Sequence, residues 1–225
     1  MKNWRYIVPN FFTAINFLMG TASILMSYEG ELYWATWLVL WCVLLDKADG
    51  TAARLLDASS DFGSELDSMA DMVAFGLAPA FLVYSYGRHA WGLAPFEAHW
   101  VLLVVGCGIY AVCNAMRLAK YNVAEHLPGE RYFKGVPTTV SGAIIGSAIL
   151  VADQYSLPLE LVRFFPIVLI VIALGMISNL PVPKVLPRKN LAFNLFQIIN
   201  IVGVYILGIC RLLPEYILGL CLLYL

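Results

Sequence analysis

A succession of apolar runs, each about as long as a bilayer's hydrocarbon core is thick, constrains this 225-residue chain more than any single residue does. A helix needs about 20 such residues to cross that core. Runs of this kind lie near residues 9–28, 32–56, 64–87, 99–121, 137–153 and 161–180, with a seventh near 193–211. The chain is 61% hydrophobic and 13% charged, where soluble domains carry about 25% charged residues. A soluble fold would leave most of these runs uncovered. The last stretch, Pro214–Leu225, would rise only about 18 Å as a helix, so it is an incomplete eighth span or an interfacial end. The expected fold is all-α: a polytopic helical membrane protein with six core transmembrane helices, one or two C-terminal ones and an N-terminal interfacial helix. A single domain is expected over 1–225, with interfacial residues 1–8, a six-helix core over 9–180 and additional helices over 191–225.

In such a chain the placement of charge matters more than its sum of -1. With a cytoplasmic N-terminus, alternating spans put Lys2, Arg5, Lys47, Arg54, Arg117, Lys120, Arg131, Lys134, Lys184, Arg188 and Lys189 at the inner face. Only Arg88, Arg163 and Arg211 fall outside. That asymmetry follows the positive-inside rule and assigns the N-terminus to the cytoplasm. Residues 1–8 lack the apolar core and small-residue cleavage site of a signal peptide and read as interfacial. The five cysteines form no CxxC pair and read as small apolar packing residues. Gly142 and Gly146 have the GxxxG spacing of a close helix contact, whose partner lies in the same chain or another.

The second and third runs break the membrane rules together. Asp46, Asp49, Arg54, Glu65, Asp67 and Asp71 lie within or beside otherwise spanning segments. A charge at the bilayer centre costs about 2.5–3.5 kcal/mol on insertion scales, so the cluster needs compensation. On helices, Asp46 and Asp49 stand about 60° apart and Asp67 and Asp71 about 40°, so each pair shares a face. A loop over Asp57–Gly63 makes the helices antiparallel neighbours and brings both pairs to one depth. Four oxygen donors without a convergent His or Cys suit a hard cation, Mg²⁺ or Mn²⁺, rather than zinc. Small residues on the same faces, among them Gly50, Ala53, Ala70, Ala74 and Ala78, permit close backbone approach. Gly50 beside Asp49 also leaves room for a flat ligand. Other readings of the carboxylates are an ion-pair network burying Lys47 and Arg54, or a cation pathway. A transporter would be expected to show repeated halves with broken helices, and none are visible.

Residues 46–71, DKADGTAARLLDASSDFGSELDSMAD, fit D-x2-D-G-x2-A-R-x8-G-x3-D-x3-D at every specified position. This resembles the signature of the CDP-alcohol phosphotransferases, and a preceding P-N-x-x-T at Pro9, Asn10 and Thr13 extends the likeness. The resemblance implies two divalent ions, Mg²⁺ or Mn²⁺, held by Asp46, Asp49, Asp67 and Asp71, with Asp71 also the general base. It implies CDP-diacylglycerol bound near Gly50, Ala53 and Arg54 with Asn10 and Thr13 as polar contacts. It further implies a homodimer among membrane lipids of the cytoplasmic membrane, an active site facing the cytoplasm, and no nucleic-acid partner.

The signature reads only the CDP half of such a reaction, so the acceptor must be sought elsewhere. Residues 113–137 contain R-L-A-K-Y-N at Arg117–Asn122 and Y-F-K-G-V-P at Tyr132–Pro137. They resemble the serine-transferring branch, whose pattern is R-L-A-x-[FY]-N, a variable loop, then [YF]-F-x-G-[LV]-P. That likeness implies L-serine as acceptor, and phosphatidylserine and CMP as products. Arg117, Lys120 and Lys134 offer cations for the serine carboxylate, with Tyr121 and Asn122 placed to position its other groups. A phosphorylated acceptor, as in phosphatidylglycerophosphate synthesis, would want the same cations. Gly135 and Pro137 are expected to set the start of the following helix.

Overall fold

A computed structural model of the chain describes residues 4–56, 60–92, 94–124, 132–158, 160, 163–184 and 191–225. The side chains of residues 4–7, 9, 49, 52–56, 90, 91 and 191–193 also lie outside the description. Helices α1 (Trp4–Tyr28) and α2 (Leu32–Leu56) run antiparallel. Ser23 Oγ donates to Ala35 O at 2.7 Å, and nearer the other end Cys42 Sγ meets Asn16 O at 3.6 Å. The third element begins as α3 (Asp61–Asp71), widens into a π turn over Met72–Leu77 and continues as α4 (Ala78–Trp91). Then follow α5 (Ala98–Val123), α6 (Thr138–Gln154), α7 (Phe165–Ile177), α8 (Leu191–Cys210) and α9 (Pro214–Tyr224). Two short strands, β1 (Tyr132–Lys134) and β2 (Pro181–Pro183), pair antiparallel with Phe133 opposite Val182.

Among the described residues, three helical stretches are long and apolar enough to cross a membrane: Asn10–Tyr28, Asp61–His89 and Ala98–Val123. Shorter apolar helices cover Phe165–Ile177, Asn194–Cys210 and Pro214–Tyr224. Leu25, Val112, Val171 and Ile199 face outward, as expected where the surrounding solvent is hydrocarbon. Inside, Trp37, Phe75, Leu82, Leu103 and Tyr110 are fully buried. Buried hydroxyls satisfy themselves on backbone, as when Ser27 Oγ donates to Ser23 O and Ser147 Oγ to Ala143 O, because lipid offers no partner.

Three details depart from the sequence reading. The loop expected over Asp57–Gly63 is shorter, since α3 already starts at Asp61. Ser60 caps it by accepting from Gly63 N at 3.0 Å, and Asp61 favours the positive end of the helix dipole. The interfacial segment expected over 1–8 is helical from Trp4 and runs into α1 without a break. The third run is not a uniform α-helix. Pro79 has no N–H to give the Phe75 carbonyl four residues earlier, and its ring crowds that oxygen. The helix widens there, and Ala78 N reaches back to Val73 O. Tyr110 Oη and Asn114 Nδ2 from α5 donate to the Phe75 oxygen at 2.7 and 3.1 Å.

Gly142 and Gly146 find their partners within the chain. A Cβ on the first would lie 3.0 Å from the Phe75 ring, and on the second 3.2 Å from Leu40. Gly135 turns the chain from β1 toward α6 with φ +81, and a side chain there would collide with the Met176 carbonyl. Gly135 N donates to Leu180 O and Val136 N to Gly175 O, locking this corner to the end of α7.

Candidate active site

Asp46 on α2 and Asp67 and Asp71 on α3 each bring one carboxylate oxygen within 4.8 Å of the other two. Their one-turn spacing puts Asp67 and Asp71 on the α3 face turned toward α2. Asp71 is buried, while Asp46 and Asp67 are half-buried, so the group opens toward one end of the helices. Asp67 Oδ1 is enclosed and has no hydrogen-bond partner among the described residues. Three converging carboxylates with an enclosed, unbonded oxygen fit a hard divalent cation, because like charges this close are otherwise repulsive. Asp49 lies one turn beyond Asp46 on the same helix, and its side chain, like those of Ala53 and Arg54, lies outside the described residues.

The rest of the expected nucleotide side is assembled from α1 and α2. A Cβ placed on Gly50 would meet nothing within 4 Å, so open space adjoins α2 one turn past Asp46. Asn10 lies against the start of α3, where a Cβ on Gly63 would stand 3.0 Å from its Oδ1, and Thr13 is buried one turn further along.

The acceptor candidates separate into two groups. Arg117 is buried on α5, within electrostatic reach of Asp71, and its Nε has no hydrogen-bond partner among the described residues. Lys120 is exposed and donates to Asn179 Oδ1 at 2.8 Å, and Asn122 Nδ2 donates to Ser68 Oγ at 2.8 Å, joining α5 to α3. Lys134 is exposed on β1. Arg117 alone of these cations is enclosed beside a cluster carboxylate.

Several residues around the site escaped the sequence reading. Tyr110 and Asn114 hold the π turn that follows Asp71, Tyr205 Oη on α8 donates to Leu44 O, and Tyr224 Oη on α9 donates to Pro183 O. Tyr224 is also within electrostatic reach of Arg117. The available signal was polarity inside apolar runs: Asn16, Tyr110 and Asn114 interrupt otherwise hydrophobic helices, where polar groups are costly.

Apolar helices long enough to cross a membrane thus hold a carboxylate cluster that fits a divalent cation. The profile of the CDP-alcohol phosphatidyltransferases matches residues 6–183, and the chain belongs to that family. It is 29% identical over 194 residues to a CDP-diacylglycerol--serine O-phosphatidyltransferase of Helicobacter pylori, covering 86% of this chain and 77% of the relative. It is 33% identical over 180 residues to an archaetidylserine synthase of Methanothermobacter thermautotrophicus, covering 79% and 70%. A CDP-diacylglycerol--serine O-phosphatidyltransferase of Methanocaldococcus jannaschii is 28% identical over 219 residues, covering 96% and 90%.

Proposed function

We propose that the chain transfers the phosphatidyl group of CDP-diacylglycerol to the hydroxyl of L-serine, forming phosphatidylserine and CMP. The observation that carries this reading is the carboxylate triad of Asp46, Asp67 and Asp71 with buried Arg117 within electrostatic reach of Asp71. The names of the relatives on both the bacterial and archaeal sides agree in the serine headgroup. Asp46, Asp49, Asp67 and Asp71 would hold two divalent cations, Mg²⁺ or Mn²⁺, which when bound neutralise the pyrophosphate of the donor.

The residues of the chain supply the rest. Open space beside Gly50 receives the cytidine end, with Asn10, Thr13, Ala53 and Arg54 around it. Arg117 takes the serine carboxylate, which orients the hydroxyl toward Asp71. Asp71 accepts the hydroxyl proton as the serine oxygen attacks the lipid-bearing phosphorus in line; the bond to the CMP oxygen breaks and CMP departs with the electron pair. Lys120, Asn122 and Lys134 are exposed, where they can meet the carboxylate of the incoming zwitterionic serine.

The positive-inside asymmetry supports a cytoplasmic N-terminus and an active site open to the cytoplasm of the inner membrane. The family likeness supports a homodimer, for which Gly142 and Gly146 are not available since they pack within the chain. The deciding experiment incubates purified protein with CDP-diacylglycerol, Mn²⁺ and one alcohol at a time and follows CMP release. Serine-dependent release is expected. Release driven instead by glycerol 3-phosphate would move the chain to the phosphatidylglycerophosphate branch.

A further inference from the structure

Asn16 is fully buried on α1, and both its amide oxygen and its amide nitrogen lack a hydrogen-bond partner among the described residues. An amide enclosed this way costs about 1–3 kcal/mol for each unsatisfied group. Among the described residues, the buried hydroxyls of Ser23, Ser27, Thr36 and Ser147 each donate to a backbone carbonyl. Asn16 is, among the described residues, the buried side chain with both of its polar atoms left without a partner.

Its position follows from the packing. Thr13, Asn16 and Gly20 fall on one face of α1, and a Cβ on Gly20 would stand 2.9 Å from Ala74 Cα, so this face meets the third element. Asp67, Asp71 and Ala74 likewise share one face of that element. Asn10 lies beside Gly63 and Gly20 beside Ala74, so the two helices run parallel at a nearly constant offset. That register sets Asn16 level with the turn between Asp67 and Asp71. From the other side, Cys42 touches the Asn16 backbone and is within electrostatic reach of both Asp71 and Asp46. Asn16 thus lies on the α1 face that meets the element carrying Asp67 and Asp71, on a helix that contributes no acidic residue to the triad.

We propose that Asn16 is a further ligand-side residue of the cation site, its Oδ1 serving as a neutral oxygen donor to a divalent ion held by the carboxylates. Hard cations accept amide carbonyls alongside carboxylates. A neutral donor adds to the coordination without adding a further negative charge to the carboxylates. The Nδ2 protons then face the anionic side of the same site, where a phosphate oxygen of the donor is a suitable acceptor. The inference rests on the cation-site reading above and extends it to a third helix.

The test titrates Mn²⁺ alone onto the full-length protein in detergent, with calorimetry for affinity and electron paramagnetic resonance for the coordination of the bound ion. Asn16→Leu should weaken Mn²⁺ binding about 10- to 100-fold, the range seen when a supporting group at a metal site is lost. Its thermal stability without metal should be unchanged or raised, because an unsatisfied amide has been replaced by an apolar group of similar shape. Asn16→Asp keeps an oxygen donor and should bind Mn²⁺ at least as tightly as the unaltered protein, which guards against a folding artefact in the leucine variant. Asp67→Asn serves as the control for the site itself. Weakened binding in Asp67→Asn with Mn²⁺ affinity and resonance unchanged in Asn16→Leu would overturn the role of Asn16 and leave the cation site standing. Unchanged binding in Asp67→Asn would overturn the cation site, and the Asn16 role with it.

Discussion

Asn114 Nδ2 donates to the Phe75 carbonyl at 3.1 Å, the oxygen that Pro79 leaves without its helical donor. Phe75 sits one turn past Asp71, and Asn114 one turn before Arg117, so this hydrogen bond helps tie the helix of the candidate base to that of the candidate acceptor cation. Pro79→Ala would restore the missing N–H and let the π turn relax toward a regular helix. Stability to heat should hold or rise, while turnover should fall because Asp67 and Asp71 rotate relative to α4. Thermal unfolding in detergent together with CMP release checks this, and full activity with raised stability would show that the turn has no bearing on the site.

Tyr110→Phe removes the other donor to the same carbonyl, at 2.7 Å. Hydrogen bonds between membrane helices average about 0.6 kcal/mol and reach about 1.7, so a modest loss of stability is expected. Tyr110→Phe combined with Asn114→Leu should cost more than the sum of the two, since it leaves the oxygen with no donor in a medium without water. A double-mutant cycle of unfolding free energies measures the difference.

Asp46→Asn and Asp67→Asn each remove one anionic oxygen from a group packed within 4.8 Å. Each should lower turnover by more than about 100-fold, and chelation of divalent ions should do the same to the unaltered protein. Retained turnover in the presence of a chelator would dismiss the cation requirement.

Arg117→Ala should raise the KM for serine far more than that for CDP-diacylglycerol. A charge-assisted contact of about 1.5–3 kcal/mol corresponds to a rise of about 10- to 150-fold. Lys134→Ala should change it much less, because Lys134 is exposed on β1. Steady-state kinetics with each substrate varied in turn distinguishes them, and an equal effect on both KM values for Arg117→Ala would move it to the nucleotide side.

Asp71→Asn should separate chemistry from binding. Loss of a positioned base costs about 10²- to 10⁴-fold in rate, while Asp46 and Asp67 remain to hold a cation and the donor. Donor binding in Mn²⁺ measured beside CMP release decides the matter: loss of both together would make Asp71 an indispensable ligand rather than the proton acceptor.

Much of this protein was legible in one dimension. The helical runs follow from length and apolarity, because a bilayer tolerates only segments that satisfy their own backbone. The pairing of Asp46 with Asp67 and Asp71 follows from helical periodicity and a connection too short for any but an antiparallel arrangement. Even Gly50 announced the space beside it. What the order of residues left open was which helices beyond that pair would meet. Arg117 and Lys120 are three residues apart with the same charge, yet one is enclosed near Asp71 and the other reaches out to Asn179. Gly142 and Gly146 read equally well as a contact between chains until Phe75 and Leu40 filled the groove. Asn16, Asn114 and Pro79 carry no motif of their own in the sequence. Only the packing of α1 and α5 against the third element enclosed Asn16 and set Asn114 on the freed carbonyl. Contacts of that kind depend on the angle and register at which distant helices cross, and those are set by the shapes of many side chains at once rather than by any local pattern.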